Sequence, residues 1–169
     1  SQLYQTPIKI LSDTSIKFAA FDEKKQMISR MLQVKFNVNL ATGKKVVLVN
    51  KPDDVNTDDP EFALVDSRKA KGYGYEPEWM GFMTNDVDAL IDLQQSTDVK
   101  EVTVSVMNAN LGWISEPKRI VVYGGTNEKN MKQIGELTLA EIKKNGRELN
   151  VKCAGKKIQL VRVVVENHK

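Results

Sequence analysis

Residues that carry most enzymatic chemistry are scarce in this chain of 169 residues, which has one His, at position 168, and one Cys, at 153. General acid–base and nucleophilic catalysis lean on a His anchored in a fold, and a residue beside the end of the sequence given is a poor anchor. A single Cys excludes an internal disulfide and any multi-Cys zinc site. Cys153 alternates with polar neighbours in Leu149-Asn-Val-Lys-Cys153, so it reads as a small half-buried hydrophobe rather than a reactive thiol. Carboxylates are more abundant. Asp53, Asp54, Asp58 and Asp59 crowd one loop with Asn56, a density of hard oxygens that suits calcium. The spacing imitates the start of an EF-hand, but Asp59 stands where Gly is required and Val65 where the bidentate Glu belongs. A solvated acidic loop is the better reading. Asp66 and Glu166 form a second acidic group, able to share a cation only if the fold brings them together. Without that, each is expected to pair with a neighbouring Lys or Arg.

The aromatic residues are more pointed. Gly72-Tyr73-Gly-Tyr75-Glu-Pro-Glu-Trp79 gathers three aromatics in a Gly-hinged loop, and Asn108-Ala-Asn110-Leu-Gly-Trp113 sets another Trp among amides. Aromatic faces stack on the C–H faces of pyranose rings while Asn and Glu hold hydroxyls, so such loops suit a sugar binder. Large aromatics also plug the ends of sandwiches. Burial is expected for Trp79, and Trp113 is evenly balanced between the two roles. Net charge is +3, the basic residues are scattered among acidic ones, and no Gly-rich phosphate loop opens a helix, so nucleic acid is not expected as a partner. No apolar run approaches the roughly 20 residues that span a bilayer, so insertion of this segment into a membrane is not expected either.

The elements that must position these residues follow a period of two. Val102, Val104 and Val106 alternate with polar residues, as do Leu149, Val151 and Cys153, which predicts half-buried strands. Phe62–Val65, Trp79–Phe82, Ala89–Leu93, Arg119–Tyr123 and Ile158–Val165 are short apolar runs bounded by turn residues. Thr138-Leu-Ala-Glu141 reads as a capping box opening a short helix that ends before Asn145-Gly146. Three strands are expected in the first forty residues, within Pro7–Leu11, Thr14–Phe21 and Met27–Asn39. The whole is all-β, with a small segment at residues 1–42 followed by a complete β-domain at 43–169.

The larger part resembles the discoidin, or coagulation-factor type C, domain in its bacterial form, the family 32-like carbohydrate-binding module. The resemblance rests on Leu64-Val-Asp66, Trp79-Met-Gly-Phe82, Ala89-Leu-Ile-Asp-Leu93, Trp113-Ile114, Pro117-Lys118 with Val121-Val-Tyr123, and Arg162-Val-Val-Val-Glu-Asn167. Tyr4-Gln-Thr-Pro-Ile8 and Thr14-Ser-Ile-Lys-Phe-Ala-Ala-Phe21 are similar to the second half of the immunoglobulin-like C-terminal repeat of bacterial chitobiases.

The resemblance implies an eight-stranded jelly-roll sandwich preceded by a partial immunoglobulin-like segment. It also implies a non-catalytic, glycan-binding module attached to the catalytic domain of a chitobiase- or β-hexosaminidase-type glycoside hydrolase. Such a protein is expected at the bacterial surface, in the periplasm or secreted, reading galactose or N-acetylhexosamine. By position, Trp113, Asn108, Asn110, Tyr73 and Tyr75 are the candidate sugar contacts. The alternative is a spacer that packs against the catalytic domain and binds no sugar. A structural calcium is also implied, with Asp66 and Glu166 as its candidate ligands. Two departures count against the metal. Ser67 replaces the Gly that usually follows the family's Val-Asp, and Arg68, Lys69 and Lys71 set positive charge where a cation would sit.

Overall fold

A computed structural model describes residues 3–70, 72, 76, 78–107 and 114–168. The all-β expectation holds, with nine strands among the described residues: β1 (Thr14–Phe18), β2 (Leu32–Phe36), β3 (Lys45–Leu48), β4 (Asp54–Val55), β5 (Met80–Gly81), β6 (Val87–Ser105), β7 (Arg119–Gly125), β8 (Lys132–Thr138) and β9 (Glu148–Glu166). Five of them form one antiparallel sheet in the order β3-β6-β9-β7-β8, while β1-β2 and β4-β5 are separate pairs. Two short α-helices, α1 (Pro60–Ala63) and α2 (Leu139–Ile142), and a 3-10 turn at Glu128–Asn130 complete the elements among the described residues. No described helix is long and apolar enough to cross a membrane.

The unusual feature is the β6–β9 ribbon, nineteen residues on each side. The sequence suggested two strands on each side, Ala89–Leu93 with Val102–Val106 and Arg147–Cys153 with Ile158–Val165; the structure joins each pair into one bent strand. The register shifts between Asp92 and Thr97 and again around Val99 and Glu101. At this bend Gln94 and Lys157 take left-handed backbone, φ 64° and 52°. Each is held by a carboxylate. The Gln94 N–H donates to Asp92 Oδ1 at 2.7 Å, and the Lys157 N–H donates to Asp98 Oδ1 at 3.0 Å. Bulges sharpen strand twist, and the distal half of the ribbon consequently folds over the sheet's inner face. Leu149 and Val151 from that half bury completely against Ile120 and Val122 of β7, with Leu137 and Ile142 closing the cluster. The result is two β layers over one apolar core. Gly135 marks where they meet, since a Cβ there would lie 2.5 Å from the Lys152 carbonyl oxygen.

A smaller cluster of Val46, Val65 and Ala89 fills the space beside β3. On the outer face, polar side chains pair across strands, as Arg162 does in a fork to Asp88 with contacts of 2.7 and 2.5 Å. The predicted capping box is present, with Glu141 reaching back to the Thr138 N–H at 2.8 Å.

Three local expectations are corrected. Phe62–Val65 is not a strand but the exit of α1. Asp59 caps that helix through the Phe62 N–H, Pro60 opens it and Glu61 sits in its first turn, so helix-start chemistry overrides a four-residue apolar run. In the first forty residues two strands form rather than three. Pro7–Leu11 finds no strand partner, and beyond β2 only the Phe21–Met27 bridge adds pairing. The Trp79–Phe82 run contributes only the two residues of β5.

Candidate functional site

A cleft of about 420 Å³ opens between the inner face of the β6–β9 ribbon and the loops that cross it. Its wall is apolar, built from alternate residues such as Ala89, Ile91, Val163 and Val165 that the strand period turns to one side. Its rim is polar and charged. Arg68 Nη2 lies 2.5 Å from Glu78 Oε1, and Lys69 pairs with Glu148, which also accepts from Ser105 Oγ at 2.8 Å. Burial pushes the Glu148 carboxyl up, but the hydrogen bonds from Lys69 and Ser105 more than offset this, and it titrates below the ordinary glutamate range.

Trp79 is half buried at this rim, in keeping with the packing role expected of it. Its indole N–H donates to the Gly72 carbonyl at 3.2 Å, and the same carbonyl accepts from Arg147 Nη2 at 2.8 Å. The Arg147 guanidinium stands 5.0 Å above the Trp79 ring, so a cation occupies one aromatic face. The Gly72 N–H is taken by Glu76 Oε1 at 2.9 Å. The Arg147 contact could not be found from sequence pattern, since Arg147 and Gly72 lie 75 residues apart.

The five candidate sugar contacts, Tyr73, Tyr75, Asn108, Asn110 and Trp113, lie outside the described residues. The chain leading to them is described. Ala70, Glu78 and Trp79, which flank residues 71–77, line the cleft, and so do Thr103, Val104 and Ser105 at the end of β6, just before residues 108–113. Described residues near two segments far apart in sequence therefore share one cleft.

Asp66 and Glu166 are placed differently. Asp66 follows the turn after α1 and accepts the Arg68 N–H at 2.7 Å. Burial raises its pKa, against the opposing pull of the Arg68 N–H and charge. Ser67 beside it holds left-handed backbone, φ 65°. Its hydroxyl meets Thr42 Oγ1 at 2.7 Å, and its carbonyl accepts the Asn37 N–H at 2.9 Å. Glu166 closes β9 opposite Arg119, whose Nη1 is 3.5 Å from its Oε1. It lines a separate polar recess with Asp86, Lys118, Asn167 and His168. Calcium takes six to eight oxygens, and among the described residues no three His, Cys, Asp or Glu side chains gather to hold a metal. Each carboxylate has an arginine of the chain beside it, and the two share no partner; this donor set does not fit a common cation.

Comparison with known proteins finds no matching family model and no matching curated protein. Solved structures do resemble it. One is the C-terminal domain of a chitobiase from Bacteroides fragilis, 11% identical, with a TM-score of 0.39 over 51% of this chain and 54% of that one. Another is CpGH89CBM32-4 from Clostridium perfringens, 16% identical, with a TM-score of 0.47 over 77% of this chain and 84% of that one. The chain thus spans about half of the chitobiase domain. Neither superposition fixes the fold, which rests on the strand pairing described above.

Proposed function

We propose that this chain is a non-catalytic carbohydrate-binding module that holds a glycoside hydrolase near its substrate. One observation carries the reading: Ala70, Glu78 and Trp79, on either side of the first aromatic-bearing segment, and Thr103, Val104 and Ser105, upstream of the second, line a single cleft. Sugar recognition needs an aromatic face beside polar side chains. In this reading Trp113, Tyr73 and Tyr75 are the candidate aromatic faces, and Asn108 and Asn110 the candidate polar contacts. The resemblance to family 32-like modules supports galactose- or N-acetylhexosamine-bearing glycans, a catalytic domain in the same polypeptide, and a site of action outside the bacterial cytoplasm. In this reading residues 1–42 form a separate small unit and 43–169 the sugar-reading sandwich. Single lectin-like sites bind in the millimolar to micromolar range, roughly −4 to −8 kcal/mol. Tethering turns such weak binding into a raised local substrate concentration.

A second reading, a spacer without sugar affinity, draws on the apolar cleft wall and on rim charges already paired as Arg68–Glu78 and Lys69–Glu148. A glycan array separates the two. The binding reading expects selective signal on galactose- or N-acetylhexosamine-terminated glycans. Trp113→Ala or Tyr75→Ala should abolish that signal without moving the thermal melt. A blank array, or a Trp113→Ala protein that no longer folds, favours the spacer.

A further inference from the structure

The segment at residues 1–42 is not detached from the cleft. Asp13, Asn37 and Asn39 line the same cleft as Trp79. Asp13 and Asn37 each stand one position beyond the Thr14–Phe36 pair that ends the β1–β2 register, so strand pairing brings both to one end of that ribbon. The Asp13 carboxylate fixes the chain there, Oδ1 accepting the Val38 N–H at 2.9 Å. From Asn37 the contacts run on to the aromatic rim. The Asn37 N–H donates to the Ser67 carbonyl at 2.9 Å, and Arg68, the next residue, pairs at 2.5 Å with Glu78, the neighbour of Trp79.

Polar side chains around the cleft are mostly engaged within the chain. Ser67 meets Thr42 Oγ1, Arg68 meets Glu78, and Lys69 and Ser105 both meet Glu148. Thr103 Oγ1 donates to Asn150 Oδ1 at 2.8 Å, and Asn39 Oδ1 accepts the Ala41 N–H at 2.8 Å. Two groups are left over. Among the described residues, Asp13 Oδ2 and the side-chain amide of Asn37 have no hydrogen-bond or ion-pair partner.

We infer that Asp13 and Asn37 are hydroxyl-binding residues of the cleft and select a neutral glycan over an anionic one. The inference rests on the carbohydrate-binding reading and deepens it, because the N-terminal segment then supplies part of the sugar site. The chemistry follows from the two groups. A carboxylate oxygen accepts from sugar hydroxyls in charge-assisted bonds, and a primary amide both donates to them and accepts from them. The selectivity follows from the pairing. Arg68 and Lys69 each have a carboxylate beside them, whereas no cation among the described residues pairs with Asp13. The uncompensated charge is therefore negative, which repels a sialic or uronic acid and not a neutral ring. The cleft, at about 420 Å³, lies within the roughly 300–1,000 Å³ of small-molecule sites.

An array of galactose- and N-acetylhexosamine-terminated glycans, each printed with and without an added sialic acid, tests this on the full chain. The wild type should prefer the neutral member of each pair. Titration with the strongest neutral glycan then compares variants. Asp13→Asn keeps an acceptor for the Val38 N–H and should weaken binding about tenfold, because a charge-assisted bond becomes a neutral one. It should also narrow the gap to the sialylated member. Asn37→Ala breaks no side-chain bond within the chain and should weaken binding about five- to tenfold. Asp22→Asn is the control. Asp22 Oδ1 also accepts a backbone N–H, that of Gln26 at 2.8 Å, but in the link between β1 and β2, and binding should not change. Thermal melts report that each variant folds. A wild-type chain blank on every glycan overturns the carbohydrate reading itself, and this inference with it. A wild type that binds while folded Asp13→Asn and Asn37→Ala bind equally well overturns this inference alone. So does a preference for the sialylated member, or an Asp22→Asn protein that loses as much.

Discussion

Replacing Gly135 by Ala asks directly whether the bent ribbon really folds over β8. An ideal Cβ at Gly135 falls 2.5 Å from the Lys152 carbonyl oxygen, 2.9 Å from Cys153 Sγ and 3.0 Å from a Val151 methyl. Ordinary carbon–oxygen contacts lie near 3.3–3.6 Å, so the layers must part by about 0.8 Å or more. The nearest atom is backbone and cannot rotate aside. Overpacking of this kind costs about 1–3 kcal/mol, and parting the layers forfeits dispersion across the seam as well. The greater chain stiffness of Ala gives back roughly 0.5 kcal/mol. The net expectation is a loss of about 1–2.5 kcal/mol, which in a domain of this length lowers Tm by roughly 2–10 °C. Gly146→Ala is the matched control. Nothing lies within 4 Å of its Cβ and its backbone is not left-handed, so Tm should hold or rise slightly. Thermal melts followed by circular dichroism read both. A Gly135→Ala protein that melts within about 1 °C of wild type would refute the close approach of β8 to the distal ribbon, and with it the shape of the cleft wall.

Two further predictions concern the joint between the N-terminal strands and the sandwich. Ser67 combines a left-handed backbone with a hydroxyl bonded to Thr42. Ser67→Ala keeps the strain, loses the bond and should cost about 1 kcal/mol. Ser67→Gly loses the same bond but relieves roughly 1 kcal/mol of strain, and should be nearly neutral in urea unfolding; equal losses for both would sink the strain argument. For Asp66, burial raises the carboxyl pKa, so the folded state binds its proton more tightly than the unfolded chain does. The ionised group is then a cost above the carboxylate range, and stability falls as pH rises through the window between the unfolded and folded values. Asp66→Asn keeps an oxygen for the Arg68 N–H and does not titrate. It should be at least as stable as wild type at neutral pH, with the advantage fading in acid, and a chelator should leave the wild-type melt unmoved. A destabilised Asp66→Asn together with a chelator-sensitive melt would restore calcium to this loop.

Much of the scaffold was legible because it depends on neighbours. The alternation of Val102 and Val104, the turn residues bounding Arg119–Tyr123 and the Thr138–Glu141 box each act within a few positions, and the structure keeps all three. Helix-start chemistry at Asp59-Pro60-Glu61 was equally local, but the apolar run after it concealed the signal. The candidate site was legible as residue types only. Aromatic and amide side chains marked two segments without saying that Glu78 and Trp79 share a cleft with Thr103–Ser105.

What the sequence determined by itself was the β period, the faces of the strands and the capped turns. Tertiary structure alone decided that two runs on each side fuse into one bent ribbon, that Lys69 reaches Glu148 across 79 residues, and that Arg147 settles over Trp79. It also decided that Asp66 and Glu166 keep separate company. The reason is physical. A residue's conformation is biased by atoms a few positions away, whereas a partner 75 residues distant is selected by the closure of the whole core, where the ribbon's register shifts and one glycine set how nearly the layers can approach.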